Sequence, residues 1–245
     1  MFRGSYLTFT LAGDERLSPL RGKPAFLSIT PPQINSNFQI QSSQFRGRYV
    51  KKAKKVLIVV DVQNDFCPGG KLGVRGGDKV VKPLNKYIQA FRSSELPVFA
   101  TRDWHPEKTK HFKEFGGLWP MHCVQKTRGA AFRKDLKLPS ETLILSKGMN
   151  PKKEGYSVFS AEDSRGTGLL RILRALKIKE IYIGGLTTEY CIRYTVLDAL
   201  KHGFKTAFLV DAMMPVNPRE GKKVVKELKK AGARCLTLKD IISNL

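Results

Sequence analysis

Short apolar segments alternate with amphipathic segments along residues 55–245, and this pattern predicts a layered α/β fold. The apolar segments are rich in Val, Ile, Leu and Phe and have the length of strands buried on both faces. They lie at residues 56–61, 97–101, 142–146, 180–186, 206–211 and 233–238. The predicted helices, which have an apolar residue every three or four positions, are 78–92, 166–176, 188–202 and 218–231. We therefore predict a doubly wound, six-stranded parallel sheet with helices on both faces, a Rossmann-like arrangement of three layers.

Residues 1–54 differ in composition from the rest of the chain. Ser, Thr, Gln, Asn and Pro are frequent there, apolar residues are scattered without a period, and only Asp14 and Glu15 are acidic. This is typical of a disordered extension, and an acid-poor segment with several Arg and Ser also fits an organelle transit peptide. A misassigned translation start is a third alternative. We predict a basic extension over 1–54 and one folded domain over 55–245, in a cytoplasmic protein unless the extension directs import.

The chain is strongly basic, with a formal net charge of +23. Such a surface attracts nucleic acids and anionic membranes non-specifically. The basic residues are spread along the whole chain instead of forming one block, which favours a solvated lysine-rich surface over specific nucleic-acid recognition. No apolar run approaches the roughly 18 residues of a membrane span, so we expect no membrane insertion. A nucleic-acid-binding protein that retains an inactive enzyme fold is the alternative that charge alone supports.

Four potential metal ligands lie within one short window of the sequence, directly after the second predicted strand. They are Asp103, His105, His111 and His122, and the only other histidine of the chain is His202. Imidazole and carboxylate together suit a first-row transition metal, and the positions they leave open would go to water or substrate. The alternative is that His105 and His111, in this lysine-rich stretch, are solvent-facing loop residues. The clustering favours a metal site.

The cysteines are far apart in the sequence and form no CxxC pair, which predicts free thiols in a reducing compartment. Cys191 lies one turn into the helix predicted after the fourth strand. The positive end of a helix stabilises a thiolate, so this position predicts a lowered pKa and a nucleophile. The alternative is a small buried apolar residue. Cys67, Cys123 and Cys235 have no comparable position.

Two charged residues accompany the carboxyl ends of other predicted strands. Asp61 ends the first strand and Lys147 follows the third. Alone, Asp61 could cap the following loop and Lys147 could be a surface residue. Because the carboxyl ends of parallel strands share one edge of a sheet, we expect both side chains near Cys191, where ligands of such folds bind.

The segments DVQNDFCPGG, TRDWHPEKTKHF, WPMHCV, SKG and GGLTTEYC occur here in the order and spacing of a known family. Over roughly residues 55–240 the chain resembles the nicotinamidases of the isochorismatase-like cysteine hydrolase superfamily. Other members, such as isochorismatases and carbamoylsarcosine or ureidoacrylate amidohydrolases, share the Asp, Lys and Cys positions but generally lack the full set of one Asp and three His.

The resemblance implies a role for each matching residue. The implied catalytic triad is Asp61, Lys147 and Cys191. The implied ligands of one divalent ion, zinc, manganese or iron, are Asp103, His105, His111 and His122. The implied pocket residues are Phe66, Trp119 and Tyr156, of which Tyr156 lies in a stretch where the family varies in length. The backbone N–H groups of Thr187 and Cys191 would form the oxyanion hole, beside a cis peptide between Leu186 and Thr187.

The resemblance also implies a reaction. It is the hydrolysis of the small molecule nicotinamide to nicotinate and ammonia in NAD salvage, through a thioester on the cysteine, while the metal holds the ring nitrogen. Specific nucleic-acid and membrane partners are not expected, and self-association into a homo-oligomer is left open. The alternative is another cysteine hydrolase of this superfamily that acts on a different small amide.

Overall fold

The computed structural model describes residues 54–242 of the chain. The prediction of a disordered or transit-like extension therefore concerns a segment that lies, apart from Lys54, outside the described residues. No helix within the described range is both long enough and apolar enough to cross a bilayer.

The described residues form one six-stranded parallel sheet in the order β3-β2-β1-β4-β5-β6. Its strands are β1 Lys55–Val60, β2 Val98–Asp103, β3 Leu143–Lys147, β4 Glu180–Leu186, β5 Lys205–Met214 and β6 Arg234–Leu236. The chain winds outward from β1 in one direction and then from β4 in the other. The predicted doubly wound fold is confirmed, and the strand order reverses between β1 and β4, where such sheets bind ligands.

Helices cover both faces of this sheet. They are α1 Val81–Ser93, α2 Leu169–Ala175, α3 Arg193–Lys201, α4 Pro218–Lys230 and α5 Leu238–Ile242. One apolar cluster joins alternate residues of β1, such as Ile58, to α2, α3 and α4. A second cluster joins the intervening residues, such as Leu57, to α1. Burial on both faces explains why β1 is a continuous apolar run.

Several element boundaries differ from their predicted positions. A 3-10 turn over Gly77–Val80 precedes α1, and β5 continues beyond its predicted end to Met214. The predicted helix over 188–202 begins as a π-helical turn, Thr188–Ile192, before α3. Hydrophobic periodicity could not separate a π-helical from an α-helical turn over five residues.

Candidate active site

Three charged or nucleophilic side chains from separate strand ends meet at the carboxyl edge of the sheet. Asp61 directly follows β1, Lys147 is the last residue of β3, and Cys191 lies in the turn after β4. Lys147 Nζ lies 2.9 Å from Asp61 Oδ2 and 3.4 Å from Cys191 Sγ. Thr101 in β2 donates a hydrogen bond of 2.8 Å to Asp61 Oδ1. The sheet thus brings together the three residues that its predicted topology placed at one edge.

Lys147 is fully buried and contacts two carboxylates. Its ammonium group pairs with Asp103 Oδ1 as well as with Asp61. Burial opposes the charged form of the lysine, but the two carboxylates hold its pKa well above the ordinary value. Lys147 in turn keeps the pKa of Asp103 below its usual range despite burial. The alternative of a solvated surface lysine is therefore wrong.

Burial is the main cause of the pKa shifts of Asp61 and Cys191. Burial raises the pKa of Asp61, against the opposing effect of the Lys147 charge. Burial also raises the pKa of Cys191 well above its ordinary value, although the Lys147 charge favours the thiolate. The prediction of a lowered cysteine pKa is therefore wrong, because desolvation outweighs the start of a helical turn. The raised pKa favours the thiol form of Cys191. The neighbouring Asp61 carboxylate also has a raised pKa and is therefore a stronger base.

The three histidines of the predicted metal window converge although their positions span 105–122. All are buried, and one ring nitrogen of each lies within 4.8 Å of those of the other two. The alternative of solvent-facing loop histidines is therefore wrong. Burial lowers the pKa of His111, and it lowers that of His122 to about 4. Neutral imidazoles are the form that binds a metal.

Each of these histidines uses Nδ1 in a hydrogen bond. Nδ1 of His105 lies 3.0 Å from the carbonyl oxygen of Gly148, and Nδ1 of His122 lies 2.7 Å from that of Pro120. His111 Nδ1 lies 2.8 Å from Glu154 Oε2. Since these oxygens only accept, each Nδ1 carries the proton and each Nε2 offers its lone pair. The Nε2 atom of His105 is buried and has no hydrogen-bond partner within the described part of the chain. This donor set fits a divalent transition metal.

Asp103 contacts both the histidine group and Lys147. Its Oδ1 pairs with Lys147 and its Oδ2 lies 3.8 Å from His105 Nε2. The buried amide of Gln63 fixes the end of β2, since it accepts from Asp103 N at 2.7 Å and donates to Asp103 O at 2.8 Å. Asp103, Asp61 and Cys191 also form a tight group of potential ligands, but the Lys147 ammonium already pairs with both of its carboxylates.

An aromatic cavity of about 260 Å³ opens onto both groups. Its wall includes the predicted pocket residues Phe66, Trp119 and Tyr156, together with Cys191, Asp103 and two of the histidines. Trp119 Nε1 donates to the Tyr156 hydroxyl at 2.8 Å, which fixes both rings. Tyr190 also lines the cavity, with its ring 4.9 Å from that of Trp119 between centroids. Such a cavity suits a small planar ligand.

The backbone before the cysteine forms the floor of this cavity. The peptide between Leu186 and Thr187 is cis, as the resemblance implied. Thr187 and Cys191 both line the cavity. The backbone N–H of Thr187 has no backbone hydrogen-bond partner within the described residues. It is therefore available to a ligand oxygen, and the N–H of Cys191 lies in the helical turn that follows.

Sequence reasoning missed four residues of the site. Thr101, Gln63 and Glu154 act through hydrogen bonds that join positions about 40 residues apart, and a single sequence gives no signal for such pairs. Tyr190 could have been found, because an aromatic residue directly before the candidate nucleophile shares its turn.

A doubly wound sheet with a buried cysteine, lysine and aspartate at its carboxyl edge defines a class, the α/β proteins equipped for cysteine nucleophile chemistry. The chain belongs to the isochorismatase family, because the isochorismatase domain matches residues 55–240.

Known proteins similar to this chain align with it over nearly all of their own length and over about three quarters of this chain. Nicotinamidase from Escherichia coli is 36% identical over 76% of this chain and 96% of its own. A pyrazinamidase from Pyrococcus horikoshii, solved in complex with zinc, is 45% identical and has a TM-score of 0.70 over 76% of this chain and 99% of its own. PnC1 from L. infantum, solved in complex with nicotinate, is 32% identical and has a TM-score of 0.67 over 76% of this chain and 93% of its own.

Proposed function

We propose that this protein is a metal-dependent nicotinamidase that hydrolyses nicotinamide to nicotinate and ammonia. One observation carries the proposal: the Asp61, Lys147 and Cys191 cluster reaches the small aromatic cavity through Cys191, and the three-histidine group reaches the same cavity through His111 and His122. A cysteine hydrolase needs only the first group. The second group favours a pyridine amide, whose ring nitrogen is a metal ligand. The similar E. coli nicotinamidase and the L. infantum complex with nicotinate support this substrate.

His105, His111 and His122 would hold the divalent metal together with Asp103, whose Oδ2 lies 3.8 Å from His105 Nε2. The bound ion would supply a Lewis-acid site that orients the pyridine nitrogen and so fixes the position of the carboxamide. Zinc, manganese and iron all suit imidazole ligands, and the zinc complex of the P. horikoshii relative favours zinc. Phe66 and Trp119 would flank the planar ring.

Asp61 acts as the general base of the first half-reaction. It takes the proton of the Cys191 thiol, while the Lys147 charge stabilises the thiolate that forms. Sγ adds to the carboxamide carbon, and the resulting oxyanion accepts hydrogen bonds from the N–H groups of Thr187 and Cys191. Asp61 then gives its proton to the departing nitrogen. The carbon–nitrogen bond breaks, which leaves ammonia and a thioester.

The same carboxylate serves the second half-reaction. Asp61 takes a proton from a water molecule that attacks the thioester carbon, and the carbon–sulfur bond breaks. Asp61 returns this proton to the cysteine sulfur, which restores both groups, and the nicotinic acid formed leaves as nicotinate after losing its own proton to solvent. The reaction would place the protein in NAD salvage, while a cytoplasmic location and self-association stay predictions.

Ammonia release from nicotinamide, measured together with bound metal, tests the proposal. We expect the C191A variant to lose activity and keep its metal, whereas C235A, at a half-buried thiol in β6, should keep both. A fully active metal-free protein would favour the sibling cysteine hydrolases over a nicotinamidase. Turnover by the C191A variant would refute the cysteine mechanism.

A further inference from the structure

A groove of about 560 Å³ lies between the turn that leads to Cys191 and helix α4. None of the residues that line the aromatic cavity contributes to this groove. Its apolar wall contains Val210 and Met213 from β5 and Val225 from α4. Its volume falls within the range of small-molecule sites, about 300–1,000 Å³. The proposed reaction makes no use of it.

Three lysines give the groove a positive charge. Lys222, Lys226 and Lys229 line it, and their spacing of four and three residues places them on one face of α4. All three are exposed, and none forms an ion pair with a carboxylate of the described residues. No acidic residue lines the groove. The two glutamates of α4 are already paired, Glu220 with Lys223 and Glu227 with Arg193.

We propose that this groove is a second binding site, which takes a small organic anion composed of an apolar ring or chain and one carboxylate or phosphate. The apolar part packs against Met213 and Val225. The anionic group lies near Lys226 and Lys229. This ligand contacts the turn that carries Cys191 without entering the aromatic cavity. The proposal does not depend on the identity of the substrate.

Benzoate, which joins an apolar ring to a carboxylate, is a suitable probe. Titration into protein with 13C-labelled methyl groups would separate the two cavities, because Met213 and Val225 report on the groove and Leu72 and Val74 on the aromatic cavity. We expect saturable shifts of the Met213 and Val225 signals. Neutral benzamide and inorganic phosphate, which each lack one half of the ligand, should bind the groove at least about fivefold more weakly.

Variants locate the binding. The K226A/K229A double variant should weaken benzoate binding at the groove at least about fivefold, as expected for the loss of two exposed ion pairs. K230A on the same helix is the matched control, since Lys230 does not line the groove, and it should bind like the wild type. Absence of saturable groove shifts, or equal affinity in the double variant and K230A, would overturn the proposal, as would equal affinity for benzamide.

Discussion

Lys147 determines the electrostatic balance of the active site at the scale of single residues. Its ammonium contacts Asp61, Asp103 and the Cys191 sulfur, all of them buried. The order of strands and motifs predicted that these residues share one edge. The sequence alone could not predict that burial raises the pKa of Cys191, because desolvation depends on how the whole fold packs around the thiol.

The K147M variant should be strongly destabilised and inactive. It leaves two buried carboxylates close together without a counter-charge, which costs about 3–5 kcal/mol. Urea unfolding at neutral pH measures the free energy, and ammonia release measures activity. K230M, at an exposed lysine, should remain within about 0.5 kcal/mol of the wild type. A K147M protein as stable as the K230M control would show that Lys147 does not balance these carboxylates.

At the scale of elements, Gly148 joins the loop after β3 to the histidine group. Its φ is +69°, and its carbonyl oxygen lies 3.0 Å from His105 Nδ1. A Cβ at this position would lie 2.7 Å from His105 Nδ1, so the ring would have to move. The clustered histidines were predictable from sequence. The hydrogen bond from His105 to Gly148 was not, since the two residues lie about 40 positions apart in the chain.

The G148A variant should bind zinc about 10- to 100-fold more weakly, as is typical when support for a metal ligand is lost. Its matched control is G203A, whose φ is +82° and whose Cβ would meet no atom within 4 Å. Both variants place Ala in left-handed backbone and should each lose about 1–2 kcal/mol of stability. Competition with a chelator measures zinc affinity, and urea unfolding measures stability. Equal zinc affinity of the two variants would contradict the role given to Gly148.

A partly buried hydrogen bond joins α1 to β5. Tyr87 is buried and donates a hydrogen bond of 2.6 Å to Asp211 Oδ1. Burial, reinforced by Asp211, raises the pKa of this phenol above its unfolded value. A raised folded pKa gives stability that is complete below about pH 10, the unfolded value, and is lost as pH rises further.

The Y87F variant should therefore lose about 1 kcal/mol at neutral pH, the contribution of one hydrogen bond. Between pH 9 and 11 its stability should fall less steeply than that of the wild type, because it lacks the titrating group. Urea unfolding across this range gives both slopes, and titrations common to the two proteins cancel in their difference. Parallel slopes would show that the pKa of Tyr87 is the same in the folded and unfolded states.

At the scale of the whole molecule, the sheet was predictable from sequence because its inner strands β1, β2 and β4 are buried on both faces and are therefore apolar runs. Net charge was less informative. The value of +23 says little about the site, where Lys147 and its carboxylates form one buried group.

The histidine group also joins distant parts of the fold, because His105 follows β2 and bonds to Gly148 after β3.

Metal binding should consequently stabilise the entire fold. A ligand that binds only the folded state adds about 2.7 kcal/mol to the free energy of unfolding when its free concentration is 100 times Kd. We expect zinc at that concentration to raise the unfolding free energy of chelator-treated protein by this amount. The H105A variant should lose most of the increase, while H202A, at the exposed histidine that follows α3, should retain it. An equal increase in H105A would mean that zinc stabilises the protein from another site.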